Sequence, residues 1–249
     1  MKKLLSISLS VFSLFALAQE SDVWRIGAQW GFQGNHAKLI GGQTQADSRF
    51  EQHDAGGAAL NIFARYDYDT HWMLNTGLGL SSYGFEFSLA QNYSLLNPNS
   101  RRAVIKNDIG VFEVPLMIHY KFNPNCKQAK WLVGAGLIQN FQTGYSQSGS
   151  YKQGNEATSN ISYFHSNVVL IGAYYSSIRF SFGREKIFNS GRILNFSLLW
   201  NYGLRQTAQT VVSYNIDGKD FQHKFGNQGN FFGFRMAYYL MPIKNSSPK

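Results

Sequence analysis

Apolar and polar residues alternate with a period of two along most of the chain, the pattern of β-strands whose two faces have different surroundings. In the clearest segment, 111–122, the even-numbered positions are apolar, whereas the odd-numbered ones include Glu113, His119 and Lys121. Helical periodicity is almost absent. The alternating segments are 24–33, 60–68, 72–81, 111–122, 131–142, 161–182, 194–205 and 232–240. The pattern therefore predicts an all-β protein with eight strands.

The segment 161–182 is either one long strand or two strands that break at Ser176 and Ser177. Its apolar positions from Val168 to Phe182 are all even-numbered, so a single strand keeps the same face throughout. This parity favours one strand and a total of eight. A break at the two serines, together with a second break within 206–209, would give ten strands, which is the alternative topology.

The connections between these segments alternate in length. The links at 67–71, 123–130 and 184–191 are brief, whereas the others are long and polar. Transmembrane barrels have short periplasmic turns and long extracellular loops. We therefore expect an antiparallel up-and-down transmembrane β-barrel, with both termini at the periplasmic end and four mobile loops at the cell surface.

The polar strand face separates a membrane barrel from a soluble one, because a soluble barrel would also alternate. This face is rich in Gly, Asn, Ser and Gln with isolated charges, a composition suited to a crowded, hydrated lumen. Aromatic residues stand at the strand ends, where rings with polar edges favour the membrane interface. We predict a periplasmic girdle formed by Trp24, Tyr68, Trp72, Tyr120, Trp131, Phe182, Phe196 and Tyr238.

Composition and the N-terminus agree with an exported membrane protein. Charged residues make up only 15% of the chain, against roughly 25% in an ordinary soluble domain. Residues 1–18 combine two lysines, an apolar run and a terminal Ala-Leu-Ala, which is the pattern of a cleaved signal peptide. We therefore expect residues 19–249 to form a barrel domain in the bacterial outer membrane.

The basic net charge limits the partners that we expect. The formal charge is +9, and removal of Lys2 and Lys3 lowers it to +7. Arg101, Arg102 and Lys106 make the second outer loop basic, which suits lipopolysaccharide phosphates, although solvated loop charge is the simpler explanation. Cations and aromatic rings are not interleaved on one surface, so we expect no nucleic-acid partner. Cys126 is the single cysteine and forms no intrachain disulfide.

The segment 111–122, VFEVPLMIHYKF, resembles the leucine/phenylalanine-glutamate-isoleucine-proline-leucine strand of the Bacteroidetes outer-membrane β-barrel family, often labelled PorT-like. The length of the chain and its Gly-rich strands are similar to that family as well. The resemblance implies an outer-membrane barrel. Because the family is functionally mixed, it implies no activity, and a link to protein secretion follows only from the family's namesake.

Charged residues on the predicted lumen face are the candidate functional site. Glu113 is the one acidic residue that we place in mid-strand there, and a lone carboxylate in a narrow barrel needs a cationic partner. The candidate partners are Arg25, Arg65, Arg179, Arg205 and Arg235. We interpret the group as a structural plug, with a proton relay or catalysis as the alternative. Pro115 lacks an N–H for the strand ladder, so we also expect a β-bulge there.

The sequence favours a non-enzymatic function. The histidines show no metal-ligand spacing, so we expect neither a metal nor another cofactor. His53-Asp54 and His165-Ser166 lie near outer loops, but neither pair has a third member of a catalytic triad. An eight-stranded barrel is just filled by its side chains. We therefore expect an occluded barrel whose loops contact surface or envelope partners; the alternatives are a narrow channel and a rim-active hydrolase or acyltransferase.

The membrane assignment predicts how the purified protein partitions. The folded protein should enter the detergent-rich phase in a detergent phase-separation experiment, because its apolar strand faces would otherwise contact water. If the folded protein instead stays in aqueous solution when no detergent is added, that result would support a soluble β-protein.

Overall fold

The computed structural model describes residues 23–35, 38–42, 50–90, 102–122, 129–149, 151–152 and 161–240. The predicted signal peptide at 1–18, His36, Arg101 and Cys126 lie outside these described residues. No helix within the described ranges is long and apolar enough to cross a bilayer. The described residues form strands in two sheets.

Eight strands build a closed antiparallel barrel. They are β1 (Val23–Asn35), β3 (Phe50–Asp67), β4 (Trp72–Ala90), β5 (Arg102–Phe122), β6 (Ala129–Ser148), β9 (Tyr174–Ile187), β10 (Ile193–Gly203) and β13 (Phe231–Tyr239). Neighbouring strands follow the order β1-β13-β10-β9-β6-β5-β4-β3. β1 pairs with β3 on one side and with β13 on the other, which closes the barrel. The pairing with β13 runs from Gly27 opposite Tyr239 to Asn35 opposite Phe231. The predicted eight-stranded barrel is confirmed, and the ten-stranded alternative is wrong.

Five further strands form a second sheet, which we term the outer sheet. They are β2 (Lys38–Gly42), β7 (Tyr151–Lys152), β8 (Ile161–Leu170), β11 (Ala208–Ile216) and β12 (Lys219–Asn227), in the order β2-β12-β11-β8-β7. These strands come from three of the four long connections between barrel strands. The expectation of four mobile loops is therefore wrong for these three connections. The other long connection, 91–101, lies outside the described part of the chain.

The segment 161–182 is divided between the two sheets. β8 belongs to the outer sheet and β9 to the barrel, so the prediction of one long strand is wrong. The break lies at 171–173, whereas Ser176 and Ser177 are both within β9. Gly172 has a φ of 83°, a left-handed conformation that favours glycine, and it lies at the break. The apolar positions stay even-numbered across it, but they are buried in β8 and face outward in β9. The barrel still has eight strands because β8 is not part of it.

The polarity of both faces reverses along β4. At the end of the barrel with the short turns, the inward face carries polar residues such as Asn75 and Ser81, while Leu80 is exposed on the outward face. Farther along, Phe85, Phe87 and Leu89 continue the inward parity and are fully or almost fully buried. The outward positions there include Ser82 and Glu86. In a membrane barrel, such a reversal is expected at the level where lipid outside the strands gives way to water.

The extended ends of β3, β4 and β5 pack face to face against the outer sheet. We term this β-sandwich the cap. In its core, residues of the outer sheet pack on the inward face of the barrel strands. The ring centroids of Phe87 and Phe225 are 4.7 Å apart. Phe50 stacks on Tyr214 at 5.2 Å. The core residues are Tyr83, Phe85, Phe87, Leu89, Ala103, Ile105, Ile109, Val111, Ile161, Phe164, Val168, Ala208, Val212, Tyr214, Ile216 and Phe225. Apolar burial on this scale fixes the position of the outer sheet.

The eight girdle aromatics lie on the outer surface of the barrel toward its short-turn end. Trp131 stacks on Phe182 at 5.3 Å, and Trp72 meets Tyr120 edge-on at 5.0 Å. Tyr68 follows β3 in the short turn and is 60% exposed. The rings therefore form a band at one level of the barrel, and their contact with the membrane interface stays a prediction.

Pro115 does not produce the predicted bulge. β4 and β5 pair with the same offset on both sides of the proline, at Thr76 opposite Leu116 and at Gly79 opposite Glu113. The Thr76 hydroxyl donates a hydrogen bond to the Pro115 carbonyl oxygen at 2.9 Å. A side-chain contact thus supports the strand beside the proline, which lacks an N–H. The register shift of β5 against β6 lies between Gly110 and Val111 instead.

Candidate functional site

Charged and polar side chains from all parts of the barrel wall meet inside the lumen. Period-two alternation aims the odd-numbered residues of β5 and β9 inward, while small residues on β6 leave room for them. For example, a Cβ atom at Gly134 would lie 2.3 Å from the His119 ring. The wall therefore admits long side chains opposite glycines. The charges fall into two layers, described below as the upper layer and the short-turn layer.

The upper layer contains Glu113, Arg179 and Arg235, all almost completely buried. One Glu113 carboxylate oxygen, Oε2, accepts a hydrogen bond from Arg179 Nη1 at 3.0 Å, and the other, Oε1, accepts one from the Ser81 hydroxyl at 2.7 Å. Arg179 Nε also donates to the Asn201 side-chain oxygen at 3.1 Å. This is the cationic partner that a buried carboxylate requires.

Arg235 lies in the same layer but has different partners. Its Nη2 donates to the Gln33 side-chain oxygen at 2.6 Å. The Cζ atoms of Arg179 and Arg235 lie 5.2 and 5.8 Å from the centroid of the Phe231 ring, within the range of a cation–π contact. One aromatic ring thus lies beside both guanidinium groups.

The short-turn layer is a network of five charged residues. Arg65 bridges two carboxylates, with Nη1 2.7 Å from Glu185 and Nη2 2.8 Å from Asp67. Lys121 Nζ lies 2.6 Å from the same Asp67 carboxylate, which Arg25 also contacts. Fork-shaped guanidinium groups suit such bridging because they present several donors in one plane.

Asp67 and Glu185 are not among the predicted site residues. Asp67 falls at the end of the predicted strand 60–68, where the link 67–71 begins, and Glu185 falls within the predicted link 184–191. β3 continues through Asp67 and β9 through Ile187, so both carboxylates lie within strands. Glu185 has the same odd parity as Arg179 and is fully buried. Continuing the alternation of β9 by a few residues would have identified it.

Arg205 is the one candidate arginine that the structure places outside the lumen. β10 ends at Gly203, so the alternation that predicted an inward side chain no longer applies. Arg205 is exposed, hydrogen-bonds to the Tyr174 carbonyl oxygen and lies 5.2 Å from the centroid of the Tyr174 ring. The lumen prediction for this residue is therefore wrong.

A small cavity separates the two charge layers, with about 30 Å³ of space for water. The side chains that line it are both polar and apolar, and they include Gln29, Phe63, Asn75, His119, Arg179 and Ser197. A water molecule needs roughly 10–15 Å³ of such space, so the cavity accommodates about two. A wider opening of about 400 Å³ lies at the short-turn end beside Arg25, Asp67 and Lys121.

Hydrogen bonds join the top of the lumen to the cap. The Tyr83 and Thr207 hydroxyl groups lie 3.2 Å apart, and Gln142 donates to the Thr207 carbonyl oxygen at 3.0 Å. At the opposite end, the backbone N–H groups of Trp72 and His71 donate to Asp69 and lower the pKa of its carboxyl group. Both ends of the barrel are therefore fixed by specific contacts.

The cap brings together one serine, one histidine and one carboxylate, but not as a catalytic triad. His53 Nε2 lies 3.1 Å from the Ser88 hydroxyl and 3.2 Å from the Glu51 carboxylate. In a triad the two partners bind different ring nitrogens, so that the carboxylate orients the ring while the other nitrogen takes the proton of the serine. Both contacts here use the same nitrogen. Among the described residues, no group of three or more His, Cys, Asp or Glu could hold a metal ion.

The basic loop predicted to bind lipopolysaccharide is only partly described. Lys106 lies within β5, and its Nζ is 3.4 Å from the Asp108 carboxylate. This half-exposed pair reduces the local positive charge. Lipopolysaccharide binding at this position stays a prediction.

Residues 17–209 match the family described as outer membrane protein beta-barrel domain. No curated protein matches the chain. Among solved structures, OprG from Pseudomonas aeruginosa is similar, with 12% identity, coverage of 88% of this chain and 95% of that chain, and a TM-score of 0.44. Outer membrane protein AlkL in lipid bilayers is similar at 11% identity, with coverage of 93% of this chain and 96% of that chain and a TM-score of 0.42. Neisserial surface protein A is similar at 15% identity, with coverage of 87% of this chain and 98% of that chain and a TM-score of 0.39.

The upper layer predicts that Glu113→Gln destabilises the folded barrel. Loss of the carboxylate leaves the buried Arg179 guanidinium without its anionic partner, and breaking a buried pair costs about 3–5 kcal/mol. We expect a lower temperature for the conversion of the folded to the unfolded band in detergent gel electrophoresis. Glu86→Gln is the matched control, because Glu86 lies on the outward face of the cap. Unchanged heat resistance of Glu113→Gln would contradict a structural plug.

Proposed function

Because the chain belongs to the outer membrane protein beta-barrel domain family, we propose that this outer-membrane barrel is non-enzymatic and occluded, and that it holds the cap at the cell surface. The lipid-facing wall contacts outer-membrane lipid and lipopolysaccharide, and the cap contacts a further envelope or surface protein. The observation that carries the proposal is the cap core, because it is built on the same strands as the barrel. No cofactor enters this function, and the expected signal peptide directs the export that it requires.

Two features support an occluded lumen. The charge layers span the interior, with Arg179 reaching Glu113 and Arg65 reaching Glu185. The space between the layers accommodates only about two water molecules. Because an eight-stranded barrel is just wide enough to be filled by side chains, these contacts leave no continuous path for hydrated solutes.

The strand structure of the cap supports a role in binding. Short turns face the periplasm in outer-membrane barrels, so the cap at the opposite end faces the exterior. Strands rather than loops present its outward residues, among them Tyr163 and His165. The Tyr163 hydroxyl donates to Asp220 at 3.0 Å, and Asn215 donates to the same carboxylate oxygen at 2.7 Å. A preorganised surface binds a partner at a lower entropic cost than mobile loops do. A partner in protein secretion, as the PorT-like resemblance implies, is one envelope partner of this kind.

Occlusion predicts the electrical behaviour of the protein in planar lipid bilayers. We expect the wild-type protein to insert without discrete conductance steps, because the two charge layers close the lumen. A triple variant, Glu113→Ser, Arg179→Ser and Arg235→Ser, removes the long side chains of the upper layer and should conduct more than the wild type. A known porin, reconstituted in parallel, verifies the assay. Discrete steps from the wild-type protein would contradict occlusion and favour the narrow channel.

The binding role predicts that disruption of the cap core abolishes partner contacts and leaves the barrel folded. Leu89→Ala removes a fully buried side chain and should destabilise the cap by about 2–5 kcal/mol. We expect surface protease to cleave the outer sheet, and chemical cross-links from the cap to envelope proteins to disappear. Leu39→Ala is the matched control, since Leu39 is 49% exposed on β2. Cross-links that persist in a protease-sensitive Leu89→Ala protein would contradict the role of the cap.

A further inference from the structure

In each of the two charge layers of the lumen, the cationic side chains outnumber the carboxylates by one. Arg179 and Arg235 face the single carboxylate of Glu113 in the upper layer. In the short-turn layer, Arg25, Arg65 and Lys121 face two carboxylates, but a wide opening admits water there. The upper layer lies between the narrow cavity and the cap, where far less water is available. Its surplus positive charge is therefore the less compensated of the two.

The surplus charge of the upper layer cannot be removed by deprotonation. A guanidinium group keeps its proton in proteins, in contrast to the ammonium group of lysine. Isolation of a charge from water costs several kcal/mol unless an opposite charge lies nearby. Arg235 forms no ion pair with any described residue, and its acceptor is the neutral Gln33 amide. A compensating negative charge beside Arg235 would stabilise the folded barrel.

Three donor atoms of this layer are buried without a hydrogen-bond partner. They are Arg179 Nη2, Arg235 Nε and Arg235 Nη1. Arg179 and Arg235 are only 3% and 0% exposed, so bulk water does not satisfy these atoms. Both guanidinium groups lie within 6 Å of the Phe231 ring, which places them on the same side of the lumen. Buried donors of this kind normally have an acceptor.

We propose that Arg179 and Arg235 bind a small monovalent inorganic anion, chloride or a halide of similar size, inside the lumen. One negative charge equals the surplus of the upper layer, and a halide accepts several N–H donors from different directions. Arg179 lines the cavity of about 30 Å³, which has space for an ion the size of a halide. Arg235 does not line this cavity, so its side chain turns toward Arg179 when both donate to the ion. Water could satisfy the donors, but it would leave the charge uncompensated. This site goes beyond the proposed role of the cap and does not depend on it.

The test compares the stability of the folded protein in different sodium salts. The protein is purified in nonionic detergent and heated in chloride, bromide or gluconate at equal ionic strength. A ligand that binds only the folded state raises the unfolding temperature, here by roughly 3–5 °C for each tenfold increase in halide above its dissociation constant. Gluconate is too large for the cavity. Equal unfolding temperatures in chloride and gluconate would overturn the proposal.

Two variants assign the effect to this site. Arg235→Gln removes the surplus charge, so we expect the halide dependence to disappear. Arg184→Gln is the matched control, because Arg184 lies on the outer surface, 5.4 Å from the centroid of the Trp131 ring. Halide dependence that persists in Arg235→Gln would overturn the proposal, whatever the conductance experiment shows.

A direct measurement covers the case in which Arg235→Gln does not fold. Crystals of the wild-type protein grown in bromide should show an anomalous peak within hydrogen-bond reach of Arg179 and Arg235. Ordered bromide at other positions, with no peak between these two arginines, would overturn the proposal.

Discussion

Closure of the strand ladder is the constraint on which the rest of this structure depends. Lipid offers no hydrogen bonds, so every backbone group at the level of the membrane needs a partner within the sheet. Pairing of β1 with β13 provides the last of these partners. Closure at eight strands also limits the interior to a width that side chains fill. Glu113 and Glu185 therefore have arginines rather than bulk water as their neighbours.

The barrel could be predicted from the sequence because its strands have one apolar and one polar face throughout the membrane. The cap could not, because the same strands exchange the polarity of their faces above that level. Phe85 and Phe87 continue the inward parity of Ser81, but they looked like part of a loop once the outward positions became polar. Alternation with a period of two also does not predict which distant strands pair. The sequence pattern therefore does not distinguish β8, β11 and β12 from loops or from continuations of barrel strands.

The candidate site could be predicted in part for a similar reason. Parity placed Glu113, Arg65, Arg179 and Arg235 on the inward face, where the structure has them. The choice of Arg179 as the partner of Glu113 depends on closure, because β5 and β9 are separated by β6 and meet across the curved interior. The errors arose at strand ends. Glu185 was missed because β9 extends farther than expected, and Arg205 was misplaced because β10 ends earlier.

The composition of the cap core imposes an order on how the molecule is built. Phe87 on β4 packs against Phe225 on β12, so two segments far apart in the sequence share one core. This part of the core cannot form until both segments have been translocated, and contacts between such distant segments form slowly. The apolar cap segments of β4 and β5 are therefore made before their partners on β12. The last strand of the cap, β12, directly precedes β13, which closes the barrel. Completion of the cap core and closure of the barrel therefore both depend on the C-terminal part of the chain.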